Sequence, residues 1–128
     1  MQQLLLIAAG GSLGCVARYG ISIFVYNATG GVFPWGTLAV NLTGSFIIGI
    51  VAELFEIALI PSAWRSFVTI GFVGGYTTFS TYTFETLNLI REGELKLATF
   101  NVFGSNVLGV ICVALGIYST RMFLKILS

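Results

Sequence analysis

Gly74-Gly-Tyr-Thr-Thr-Phe-Ser-Thr-Tyr-Thr-Phe-Glu85 is the stretch on which the reading turns. Its twelve positions hold two glycines, five Ser/Thr hydroxyls, four aromatic rings and one carboxylate. Around it the chain is nearly all hydrocarbon. The 128 residues are 56% hydrophobic and 9% charged, contain no histidine and have a mean hydropathy of +0.96. A soluble domain carries about 25% charged residues, so this composition fits lipid as its solvent. A bilayer-spanning helix needs about 20 apolar residues, and four such runs fit, at about 3–26, 35–59, 63–90 and 97–126. They make residues 1–128 a single all-α, four-span membrane domain and leave no room for a soluble one. The first run has no basic leader, and its Gly10–Gly14 spacing reads as a packing helix, so it is expected to remain as a membrane helix.

The third run is longer than a span requires. It is interrupted by Gly71, Gly74 and Gly75 followed by the β-branched Thr77 and Thr78, which predicts a broken helix at mid-span. Non-helical backbone at membrane depth survives only inside protein or along a cavity, because the freed N–H and C=O groups must find partners. Such freed groups often form binding sites. Beyond the break, Thr77, Ser80 and Thr83 recur every third residue beside a row formed by Phe79 and Tyr82, and Glu85 ends the series. Six hydroxyl residues within seven positions exceed what back-bonding to the helix needs.

A small anion stripped of water suits this pattern. Burying an ion costs several kcal/mol, and each hydrogen bond to a charged group returns about 1.5–3 kcal/mol. Ser, Thr and Asn supply donors without a fixed charge that would trap the ion. Aromatic edges add a positive rim. Conduction needs several sites of modest strength.

The other spans contribute faces. Asn41, Gly44, Ser45, Gly49 and Ala52 form one small, polar-tipped stripe, and Asn101, Ser105, Gly109, Cys112 and Gly116 form another, with Asn106 a step around. An intramembrane asparagine reads either as a pore group or as interhelical glue. Arg18 reads either as a vestibule residue or as a snorkelling one. Glu53 and Glu56 read as solvated carboxylates at a helix end, and Cys15 and Cys112 as packing residues. Arg65, Arg121 and Lys125 face one side, and Arg91 and Lys96 the other. That three-to-two balance permits insertion in both orientations with antiparallel pairing, or one orientation set by a single residue.

The Gly74–Glu85 stretch, together with the early GGSLGCVARY and the WGTLAVNLTGS around Asn41, closely resembles the Fluc (CrcB) family of small dual-topology fluoride channels over essentially all four spans. The resemblance implies an antiparallel homodimer in the bacterial inner membrane, with two pores that pass fluoride out of the cytoplasm. It also implies a structural sodium ion at the dimer interface, held by the backbone carbonyls of Gly74 and Thr77. The matching pore face is Asn41, Phe79, Ser80 and Thr83, with Arg18 in the vestibule and Glu85 at the acidic position. Asn106 is added from its place on the fourth span. Tyr82 departs from the family's usual phenylalanine, and its phenol would either donate to the anion or bond Asn106.

Other classes fit less well. A small four-span drug or cation exporter would need a buried ionisable switch, and Glu85 is the one carboxylate away from the ends of the spans. An intramembrane enzyme would need a base for its serines, and none is in place. A net charge of +1 does not point to nucleic acid. Four helices pressed together by small residues leave little lumen, which independently calls for a second copy.

Overall fold

A computed structural model describes residues 1–127, and every regular element among them is helical. Helix α1 runs Gln2–Thr29 and α2 runs Trp35–Glu56. A 3-10 turn at Ser62–Trp64 leads into a π-helix at Ser66–Val73, then the short α3 at Gly74–Tyr76. Helix α4 covers Phe79–Arg91 and α5 covers Leu95–Leu127. Among the described residues, α1, α2 and α5 are each long and apolar enough to cross a membrane. The expected third run is a composite of four helical pieces and a break.

The turns follow local chemistry. Gly30 and Gly31 take φ of +60° and +84°, backbone that a side chain rarely adopts, and this ends α1 and starts the descent to α2. The second helix stops three residues short of its expected end at Leu59. Ala58 takes φ +58°, and the amides of Leu59 and Ile60 fold back onto the Leu54 carbonyl.

Two helix pairs hold the bundle: α1 lies on the π-helix and α2 lies on α5. Both crossings are glycine on glycine. A Cβ added at Gly75 would stand 2.6 Å from the Gly11 carbonyl, and one at Gly71 would stand 3.0 Å from Gly10 Cα. At the second crossing, a Cβ on Gly116 would stand 2.9 Å from the Ile50 amide. Close backbone approach is how membrane helices gain contact where no hydrophobic drive exists between them. Gly10 and Gly14 thus serve the packing role their spacing predicts, and Gly71 and Gly75 are their counterparts. These two glycines are helical and do not make the break; it falls at Thr77 and Thr78.

One carboxylate departs from expectation. Glu53 is buried, not solvated, and its Oε1 accepts from Arg121 Nε at 2.8 Å across the α2–α5 crossing. Burial of an ion costs so much that only a paired one persists there. Glu56, one turn further along, is exposed as expected.

Candidate functional site

The break lies between α3 and α4. Thr77 and Thr78 are extended, with φ/ψ of −80°/158° and −147°/115°. Thr77 and Thr78 take no part in a helix, and their backbone is held by α2. Asn41 Nδ2 donates to the Thr78 carbonyl at 3.0 Å, and the Thr78 amide donates to Asn41 Oδ1 at 2.8 Å. The pairing imitates one rung of a sheet. It gives the buried Thr78 amide, which has no helical acceptor, its partner, and adds a second donor to the carbonyl that starts the hydrogen-bond ladder of α4. The glue reading of Asn41 therefore has a concrete object, and one hydrogen on Nδ2 is left over.

The same geometry strips other groups of their helical partners. In an unbroken helix the Thr78 amide would close on the Gly74 carbonyl, and the Thr81 amide on that of Thr77. Here the first goes to Asn41, and the second goes to the Thr78 hydroxyl at 3.3 Å, making Thr78 the N-cap of α4. The carbonyls of Gly74 and Thr77 are left without their backbone donors, as are the Phe79 and Ser80 amides without acceptors. Gly74 itself is exposed, and a Cβ there would come no nearer than 3.7 Å to any group.

A cavity of about 270 Å³ borders the break and brings together Asn41, Ser45, Thr77, Thr78 and Phe79. Gly44 belongs to the same wall, where a side chain would meet Tyr76 Cδ1 at 3.2 Å. Phe79 is 76% exposed, and Ser80 and Thr83 share its open face. Tyr82 is buried between α4 and α5 and its ring lies 5.6 Å from that of Phe79, so the aromatic row is contiguous but only half of it is open.

Two of the hydroxyls at and beyond the break, those of Thr77 and Thr83, do back-bond. Thr77 donates to the Val73 carbonyl at 3.0 Å, and Thr83 to those of Ser80 and Phe79 at 3.0 and 3.2 Å. Their protons are engaged in the single chain, which leaves the exposed Ser80 hydroxyl and the backbone amides at the start of α4 as open donors of the break. A helix N-terminus presents such amides with a partial positive charge.

Glu85 lies one and a half turns beyond Phe79, on the wall of a second cavity of about 430 Å³ that also includes Tyr19, Tyr26, Thr37, Asn88 and Glu92. Its Oε1 accepts from Thr37 at 2.9 Å, and its Oε2 is buried without a partner among the described residues. Arg18 stands apart from both cavities, half-buried on α1, with Nη2 3.8 Å from Cys15 Sγ. Asn106 meets Tyr82, its Nδ2 lying 3.2 Å from the phenolic oxygen.

Two residues with site geometry carried no role in the sequence, Thr37 and Thr86; Thr78 reads there as part of the break and the hydroxyl run, and Asn101 as pore group or glue. Thr37 was accessible in principle, since it lies one turn before Asn41 on the same face. Thr78-x-x-Thr81 carried an N-cap signal hidden in a run of hydroxyls. For Asn101 the structure shows the glue role: it is 1% exposed and donates to the Thr86 hydroxyl at 2.8 Å.

Comparison with known proteins places this geometry in a family. Residues 5–117 match the family described as CrcB-like protein, Camphor Resistance (CrcB). A protein of Citrifermentans bemidjiense named fluoride-specific ion channel FluC is 49% identical over 122 residues, covering 94% of this chain and 98% of its own. Proteins of the same name from Nitrobacter winogradskyi and Magnetococcus marinus are 47% identical over 120 residues and 45% over 121, covering 93% and 94% of this chain and 95% and 98% of theirs. These relatives bear the name of an ion channel, not of an enzyme. With three helices of membrane-spanning length, a buried break between two further helices and this match over most of its length, the chain is an integral membrane protein that belongs to the CrcB family.

Proposed function

We propose that the chain is a fluoride channel that carries the ion passively and electrogenically out of the bacterial cytoplasm across the inner membrane. The name of its relatives, fluoride-specific ion channel, supports the choice of ion. The observation that carries the reading is the clamp of Asn41 on Thr78. By holding the backbone open it turns the Phe79 and Ser80 amides toward use as anion donors, next to a cavity edged by an aromatic ring. Asn41, Phe79, Ser80, Tyr82, Thr83 and Asn106 line the fluoride path, and Arg18 and Glu85 line its approaches. In this reading the pieces from Ser66 to Arg91 together make the fourth crossing.

The working unit is an antiparallel homodimer. Phe79, Ser80 and Thr83 are exposed, and so is Gly74, whose carbonyl lacks its helical donor; lipid is a poor covering for these polar groups and a second copy a good one. A structural sodium ion fits the Gly74 and Thr77 carbonyls, since hard cations take neutral oxygens and these two lack backbone donors. Two copies related by a two-fold axis would offer four such oxygens, and no cluster of ionisable ligands stands among the described residues to compete for the metal.

Reversal potentials in planar bilayers with fluoride on one side and chloride on the other test the proposal. The expected potential follows the fluoride gradient. A potential near zero would refute fluoride selectivity, and fluoride movement without current would favour the exporter.

A further inference from the structure

Asn106 and Tyr82 form a pair whose hydrogen-bond direction can be worked out from heavy atoms alone. Asn106 Nδ2 lies 2.7 Å from the Val102 carbonyl and 3.2 Å from the Tyr82 phenolic oxygen. A carbonyl only accepts, so the amide atom beside it is the nitrogen. Both amide hydrogens are then spent, one on Val102 and one on Tyr82. The phenol therefore accepts from Asn106, and its own proton is left to donate elsewhere. Among the described residues the phenolic oxygen has no other hydrogen-bond partner.

That proton is costly to leave unused. Tyr82 is 7% exposed, and a buried hydroxyl normally finds an acceptor. The ring is also held firmly. The Tyr82 carbonyl accepts from Thr86 Oγ1 at 2.8 Å, and that hydroxyl accepts from Asn101 Nδ2 at 2.8 Å. Asn101 Oδ1 in turn accepts from Ser105 at 3.4 Å. Tyr82 is thus gripped through its backbone by Thr86, Asn101 and Ser105, and through its side chain by Asn106, next to the open ring of Phe79. An amide donating into the phenolic oxygen polarises the O–H and makes it a better donor.

We propose that Tyr82 donates its phenolic O–H to the permeating anion, and that Asn106, with no N–H left to give, is a positioning residue acting only through the tyrosine oxygen. The assignment rests on the fluoride-channel reading above. It makes Tyr82 a determinant of anion preference, because a lone phenolic donor favours the small anion that accepts the strongest hydrogen bond.

The test is a double-mutant cycle on fluoride efflux from liposomes, with rates normalised to folded protein recovered by size exclusion. Tyr82→Phe should still conduct, with fluoride efflux lowered about tenfold or more, the loss of one hydrogen bond to a charged group. Asn106→Ala should lower efflux in the Tyr82 background and have no further effect in the Tyr82→Phe background. Unchanged efflux in Tyr82→Phe overturns the donor role. An equal loss from Asn106→Ala in both backgrounds shows that Asn106 meets the ion itself and overturns the positioning role. Should Tyr82→Phe fail to fold, Tyr82→3-fluorotyrosine keeps the shape and sharpens the donor. Its efflux or fluoride preference should change, and a rate and preference identical to wild type would overturn the proposal. Wild-type protein that passes no fluoride at all would sink the channel reading itself, an outcome distinct from these.

Discussion

Replacing Asn41 by leucine should open the site from its support. Asn41 is joined to Thr78 by two bonds, at 3.0 and 2.8 Å, and Thr78 is 8% exposed. Leucine has similar bulk but leaves the buried Thr78 amide unpaired and takes one of two donors from its carbonyl. The unpaired amide costs about 1–3 kcal/mol and the bond lost at the carbonyl about 0.5–1.5 kcal/mol, while the added apolar contact returns about 1 kcal/mol, so the net loss is about 0.5–3.5 kcal/mol. Asn41→Asp is the informative companion. It keeps an acceptor for the Thr78 amide but sets an oxygen against the Thr78 carbonyl, so its penalty includes repulsion as well as a lost bond. Unfolding in mixed detergent micles containing increasing SDS gives the stability, and liposome flux on the folded fraction gives the function. Asn41→Leu should lose stability and, where it folds, lose fluoride flux because the backbone closes or frays. Stability within about 0.5 kcal/mol of wild type, with normal flux, would show that the clamp does not hold the break.

The remaining predictions address packing, charge and the aromatic row. Gly75→Ala should disrupt the α1 crossing, since its Cβ would stand 2.6 Å from the Gly11 carbonyl, whereas Gly20→Ala meets nothing within 4 Å and should be tolerated; equal yields of folded protein would contradict the close-approach account. Arg121→Met should destabilise more than Glu53→Gln, because it strands a carboxylate whose side chain is 6% exposed, while the guanidinium is 54% exposed and can turn to water; the reverse order in SDS unfolding would contradict it. Phe79→Ile should abolish or strongly reduce fluoride flux per folded channel, because an aliphatic group lacks the positive rim; normal flux would remove the aromatic row from the path.

Periodicity and composition carried the helices. Apolar length placed the spans at about 3–26, 35–59 and 97–126, and the helices lie at Gln2–Thr29, Trp35–Glu56 and Leu95–Leu127. Glycine was the ambiguous letter. Gly71 and Gly75 looked like helix breakers, yet both lie in helical backbone and serve the α1 crossing, because in lipid the gain from close approach outweighs glycine's poor propensity. The extended residues are Thr77 and Thr78, held open by a side chain 37 positions earlier, which local propensity cannot register. Burial of Glu53 was equally out of reach, since its partner Arg121 lies 68 residues away. The hydroxyl run marked the site only in part: Thr77 and Thr83 return their protons to the helix, Ser80 keeps its hydroxyl open, and the other open donors at the break are backbone amides that no residue letter advertises.

Fluoride efflux from liposomes reconstituted with the purified chain, followed with a fluoride electrode, separates a passive fluoride channel from a proton-coupled exporter. Liposomes loaded with potassium fluoride and diluted into fluoride-free medium should release little until valinomycin lets potassium follow, then release fluoride rapidly without any proton gradient, while the same liposomes loaded with chloride release almost none. Efflux that ignores valinomycin and requires a proton gradient, or equal release of chloride, would contradict the account.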